Sequence, residues 1–99
     1  MTDQKLTVLA CITAKPGCEE EVFKELCTLL EPTHAEAGCI NYDLHRSQDN
    51  PARFFLYENW RSRKALDEHL AMPYLQAFLG KADALLAEPV DITFWNIVD

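Results

Sequence analysis

Ile40-Asn41-Tyr42-Asp43-Leu44-His45 alternates apolar and polar side chains, and Arg53-Phe54-Phe55-Leu56-Tyr57-Glu58-Asn59-Trp60 follows it as a run dense in aromatics. The first is the pattern of a strand with one buried face, and the second has the composition that strands favour. Gln48-Asp49-Asn50-Pro51 lies between them with turn chemistry, so the two strands are expected to form a hairpin. A period of two places Phe54, Leu56, Glu58 and Trp60 on one face of the second strand and Phe55, Tyr57 and Asn59 on the other. Apolar side chains point both ways, which implies that both faces are covered.

Upstream, Leu6 to Ala14 is β-branched and apolar, and Lys15-Pro16-Gly17 stops it. The period then changes to that of a helix, with Val22, Leu26, Leu29 and Leu30 on one stripe and Glu19, Glu20 and Glu21 at the positive N-terminal end. Pro32 removes a donor and crowds the preceding turn, so a kink is expected there before the chain reaches Gly38. Downstream, Ser62 is a suitable N-cap for a short helix whose stripe is Leu66, His69 and Leu70, and Met72-Pro73 breaks it and starts another. Leu75, Phe78, Leu79, Ala82, Leu85 and Leu86 continue as one helical stripe to Pro89, and Val90 to Val98 alternates as a last strand. The order β-α-β-β-α-β defines an α+β chain of the ferredoxin-like, split βαβ type, one domain over residues 1–99. Helices then cover one face of the sheet. The other face calls for a partner, most simply a second copy of the chain in a homodimer.

Composition narrows the partners. Nine basic against 16 acidic side chains give a net charge of -7, which repels phosphate backbones and anionic lipid and argues against nucleic acid. The uncharged stretches are far shorter than the roughly 20 residues that span a bilayer, and Met1 to Lys5 lacks signal-peptide character, so no membrane association and a cytoplasmic location are expected. Cys11, Cys18, Cys27 and Cys39 form no C-x-x-C pair and His34, His45 and His69 are scattered, which argues against structural zinc and for free, mostly buried thiols.

Glu36-Ala37-Gly38-Cys39-Ile40-Asn41-Tyr42, Phe55-Leu56-Tyr57-Glu58-Asn59-Trp60 and Ala65-Leu66-Asp67-Glu68-His69-Leu70 resemble, in that order, three marks of the antibiotic biosynthesis monooxygenase family. The resemblance covers nearly the whole chain and implies a dimeric α+β barrel. It also implies one of several activities, among them cofactor-free oxidation of quinols or anthrones, isomerisation of small carbonyl signals, and haem degradation. The last is disfavoured, because the first strand has no Asn and His69 and Leu79 stand near the positions of that branch's Trp and His. Where many relatives read H-x-x-x-P-H, this chain has Met72-Pro73-Tyr74, so Tyr74 stands at the second histidine and counts against mechanisms needing both.

An oxygenase with neither metal nor flavin requires a substrate that itself reduces oxygen, so the protein need only take a proton and stabilise the anion. That demands an apolar cavity, a base that titrates near the working pH and hydrogen-bond donors. His69, on an apolar stripe, is the expected base, the alternative being a satisfied core histidine. Tyr57, Asn59, Asn41 and Trp60 are candidate donors, and Trp60, Tyr42 and Tyr74 candidate lining for a small apolar or aromatic ligand. Glu58 among aromatics is read first as a buried ion pair, with Arg53, Arg61 or a partner subunit, and second as another acid/base group. An isomerase using the same His69 without oxygen, and a non-catalytic ligand-binding or stress-protective dimer, are the competing readings.

Overall fold

A computed structural model describes residues 5–98, so Met1 to Gln4, part of the signal-peptide reading, and Asp99 lie outside the described residues. Eight elements follow one another: β1 (Leu6–Thr13), α1 (Glu19–His34), β2 (Cys39–Arg46), β3 (Arg53–Trp60), α2 (Arg63–Leu70), α3 (Pro73–Gly80), α4 (Ala82–Leu85) and β4 (Asp91–Trp95). The four strands make one antiparallel sheet in the order β2-β3-β1-β4, the ferredoxin-like arrangement. The β2–β3 hairpin forms as read, pairing Tyr42 with Glu58 and Leu44 with Leu56.

Helices occupy one face. Against them the sheet turns Val8, Ala10 and Ile12 of β1, Tyr42 of β2 and Phe54, Leu56, Glu58 and Trp60 of β3, all of them buried. From the helix layer come Val22, Leu26 and Leu29 of α1, Leu66 and His69 of α2, and Leu75 and Phe78 of α3. The other face carries Phe55 and Tyr57, each more than a third exposed, so within one chain only one face of β3 is covered. Asn59 also lies on this outer face. It is buried by a polar ladder in which the Thr7 hydroxyl donates to its Oδ1 at 2.6 Å and its Nδ2 donates to Asn41 Oδ1 at 2.8 Å.

Four elements depart from the sequence reading. The ladder shifts register between Cys39 and Asn41, and this bulge leaves Ile40 exposed rather than inward beside Tyr42. α1 runs past Pro32 to His34, so the proline lies within its last turn and does not end it. The expected long third helix is two, α3 and α4, separated at Lys81, whose N–H closes back onto the Phe78 carbonyl after the weak helix former Gly80. β4 ends at Trp95, which pairs with Thr7 close to the start of β1, so the residues beyond it have no ladder to join. All four cysteines are free; Cys27 is exposed and the others half-buried, which corrects the expectation that most are buried. No described helix is long and apolar enough to cross a membrane.

Ser62 caps α2 as expected, its hydroxyl accepting from the Ala65 N–H at 3.1 Å. The helix then lies directly on the start of β2. A Cβ added at Gly38 would sit 2.3 Å from the Ala65 Cβ and 3.4 Å from its Cα, so only glycine permits this approach. Gly38→Ala is therefore expected to cost about 1–3 kcal/mol by forcing α2, and His69 with it, away from the sheet. Gly80→Ala, which meets nothing within 4 Å, is the control and should be neutral or slightly stabilising. Urea unfolding of the two variants measures the difference.

Candidate functional site

Between the helix layer and the sheet lies a cavity of about 130 Å³. Its walls are almost wholly apolar, with Val8, Ala10 and Leu56 from the sheet and Leu66, Leu75 and Phe78 from the helices. Three polar side chains reach it: Tyr42, Glu58 and His69. Ile92 and Phe94 of β4 complete the lining on one side and are themselves 38% and 48% exposed, so the cavity is least enclosed there.

His69 is 2% exposed, and its placement follows from α2's stripe, which turns Ala65, Leu66 and His69 inward. Its Nδ1 lies 2.8 Å from Oε2 of Glu36, in the turn after α1 and 33 residues away in sequence. A carboxylate only accepts, so Nδ1 carries a proton and Nε2 is the ring nitrogen that this bond leaves unengaged. The same Glu36 oxygen accepts the Tyr74 hydroxyl. One carboxylate thus fixes both the tautomer of the imidazole and the position of the phenol. Burial, together with that bond to Glu36, pushes the Tyr74 phenol up to about 12, so it stays a neutral donor.

Trp60 forms the back of the site. It is fully buried, its ring centroid lies 4.5 Å from that of His69, and its Nε1–H donates to Oε1 of Glu58 at 2.9 Å. Tyr42 packs edge-on to both rings, 5.4 Å from His69 and 6.4 Å from Trp60. Burial raises the Tyr42 phenol far above its ordinary value, which also keeps it neutral. Glu58 is 4% exposed, and no cation is paired with it among the described residues. Arg61 turns away, its Nε donating to the Ala37 carbonyl, and Arg53 is exposed, so neither forms the ion pair expected from the sequence. Burial pushes the Glu58 carboxyl up to about 7; the indole bond opposes that rise and the charge of Glu36 adds to it.

The residues singled out in the sequence divide cleanly. His69 and Tyr42 line the cavity, while Trp60 and Tyr74 stand behind it, holding Glu58 and Glu36. Tyr57, Asn59 and Asn41 do not reach it, because β3 and β2 turn them to the opposite face; the proposed donor set is corrected accordingly. Cys39 is held up to about 11, first by burial and then by Glu36, Glu58 and Asp43, so its thiol is a poor nucleophile at neutral pH. His34 and His45 are exposed, as expected of polar positions. Glu36 is the residue that sequence reasoning missed as a site group, although it opens the E-x-G-C segment. Among the described residues no group of three or more His, Cys, Asp or Glu side chains is arranged to hold a metal ion.

This architecture is shared with known proteins. PA3566 from Pseudomonas aeruginosa superimposes with a TM-score of 0.94 at 35% identity, covering 100% of this chain and 99% of that one. Rv0793 of Mycobacterium tuberculosis, whose name assigns it provisionally as a monooxygenase, is 35% identical over 88 residues, 89% of this chain and 86% of that protein. Its structure superimposes with a TM-score of 0.91. Protein sll1783 of Synechocystis is 35% identical over 97 residues, 98% of this chain, and the chain spans 66% of that relative's length. The sequence profile of the antibiotic biosynthesis monooxygenases matches residues 5–81, from β1 through α3, and by that match and these relatives the chain belongs to the antibiotic biosynthesis monooxygenase family.

Proposed function

We propose that this protein is a cofactor-independent monooxygenase for a small electron-rich aromatic of the quinol or anthrone type, bound in the cavity between helices and sheet. The observation that carries the reading is His69, buried at an apolar cavity with Nδ1 held by Glu36 and Nε2 available. This is the base-and-orienter arrangement that proton abstraction requires. An apolar cavity of about 150 Å³ takes benzene, so the 130 Å³ here suits one aromatic ring. Further rings would extend past Ile92 and Phe94.

For a single-ring quinol, Nε2 of His69 takes the phenolic proton. The phenolate gives one electron to oxygen, and the resulting superoxide and ring radical combine to form a carbon–oxygen bond. The O–O bond of that peroxide then breaks as the ring carbon loses its hydrogen, and the proton held by His69 leaves with the departing oxygen as water. Quinol plus O2 gives hydroxyquinone plus water; the ring loses four electrons and oxygen gains four. The apolar walls limit water around the anion, and Tyr42 supplies a neutral donor beside it.

A second copy of the chain is proposed to cover β4, whose Ile92, Phe94 and Trp95 are each more than a third exposed, and so to close the open side of the cavity. Four free thiols suit a reducing compartment, and the proposed location is the cytoplasm. Oxygen uptake by the purified protein with single-ring and three-ring substrates tests the function. Protein-dependent uptake, faster with the single ring, is expected; rates equal to the spontaneous blank for every substrate would overturn it.

A further inference from the structure

Glu58 is the group that this mechanism leaves unused. It lines the cavity with an exposure of 4%, yet the ion pairs among the described residues all lie elsewhere, and none of the described arginines or lysines is paired with it. An uncompensated carboxylate in an apolar wall is costly, so geometry alone favours the acid form. Its two oxygens are not equivalent. Oε1 accepts the Trp60 indole N–H at 2.9 Å and is therefore the carbonyl-like oxygen, whereas Oε2 has no partner among the described residues. The same indole lies against the His69 ring, so the Glu58 carboxyl and the imidazole stand together at one polar end of an otherwise apolar cavity.

We infer that Glu58 is a ligand-contacting group that works as a neutral carboxylic acid, donating its Oε2–H to the phenolic oxygen of a bound single-ring phenol beside His69. The inference rests on the cavity being the ligand site, but not on the reaction with oxygen. It gives the site a specificity: a single-ring ligand that presents a neutral phenolic oxygen to this end is accepted, and a carboxylate-bearing ligand is rejected once Glu58 ionises. The titratable groups around it are Glu36 and His69 on the helix side, and Tyr42 and Cys39 on β2. Glu36 opposes ionisation of Glu58, and Tyr42 and Cys39 stay neutral, so the proposed pH dependence of binding follows the Glu58 carboxyl.

The test is binding of 4-methoxyphenol, neutral from pH 6 to 8.5, followed by calorimetry on the wild type, Glu58→Gln and Glu58→Leu. Wild-type affinity is expected to fall about tenfold or more across that range, as the fraction of protein with a protonated Glu58 declines. Glu58→Gln keeps a neutral donor and an acceptor for Trp60, so it should bind within about threefold of wild type at pH 6 and lose that decline. Glu58→Leu removes the donor and should bind about tenfold more weakly at pH 6, with circular dichroism confirming its fold. Binding by Glu58→Gln that is weak at pH 6, or as pH-dependent as the wild type, or binding by Glu58→Leu equal to wild type, would overturn the proposal. Normal phenol binding without oxygen uptake would instead reject the monooxygenase reading and leave this one standing.

Discussion

Replacing His69 with alanine is expected to lower kcat by about 10²- to 10⁴-fold, the usual contribution of a positioned general base. KM should change far less, because the apolar walls that hold the ring are left in place. The imidazole is 2% exposed and contacts Trp60, Tyr42 and Glu36, so the substitution also opens space and strands a carboxylate. Stability and rate must therefore be read separately. His69→Gln keeps a polar side chain toward Glu36 and restores much of the packing, but it offers no base. If oxygen uptake falls by the stated factor in both variants while both unfold cooperatively, the loss is chemical. If His69→Gln retains wild-type uptake, the imidazole is only a core residue.

The stability of the protein is expected to fall as pH rises from about 4.5 to about 7, by an amount traceable to Glu58. Its carboxyl is held up to about 7 in the folded chain against an ordinary value of 4.5, so the folded state binds this proton more tightly than the unfolded one. Below pH 4.5 both states are protonated and the favourable neutral form costs nothing. Between the two values the unfolded chain releases its proton first, and unfolding becomes progressively easier. Above about 7 the folded carboxyl is ionised too, and the full penalty is present. At about 1.4 kcal/mol for each tenfold change in proton affinity, the interval amounts to roughly 3 kcal/mol. Urea unfolding at pH 4.5 and pH 8 should show this loss in the wild type relative to Glu58→Gln, which has no proton to release. Parallel pH dependence in the two proteins would contradict the environment assigned to Glu58.

The same residue illustrates how much was legible beforehand. Period-two alternation correctly grouped Glu58 and Trp60 with Phe54 and Leu56, and a carboxyl among aromatics was visible as unusual. What the alternation does not contain is the choice of face, because Phe55 and Tyr57 are as apolar as Phe54 and Leu56. That choice is made by where α1 and α2 pack, a tertiary property, and it moved Tyr57, Asn59 and Asn41 from the expected pocket to the outer face. His69 was legible because a helical stripe of Leu66 and Leu70 points one way only. Glu36 was not, since its link to His69 spans 33 residues and no local period encodes it. The close approach at Gly38 that helps bring α2 to this position is visible only once Ala65 is seen above it.

In the proposed reaction, oxygen enters the product through this chain's own residues and the substrate's own electrons. The most direct test is turnover of a single-ring quinol under 18O2 by metal-stripped protein, with the product analysed by mass spectrometry before it exchanges with solvent. Protein-dependent formation of hydroxyquinone carrying one 18O atom is expected. Product without label, or no product above the protein-free rate, would contradict it.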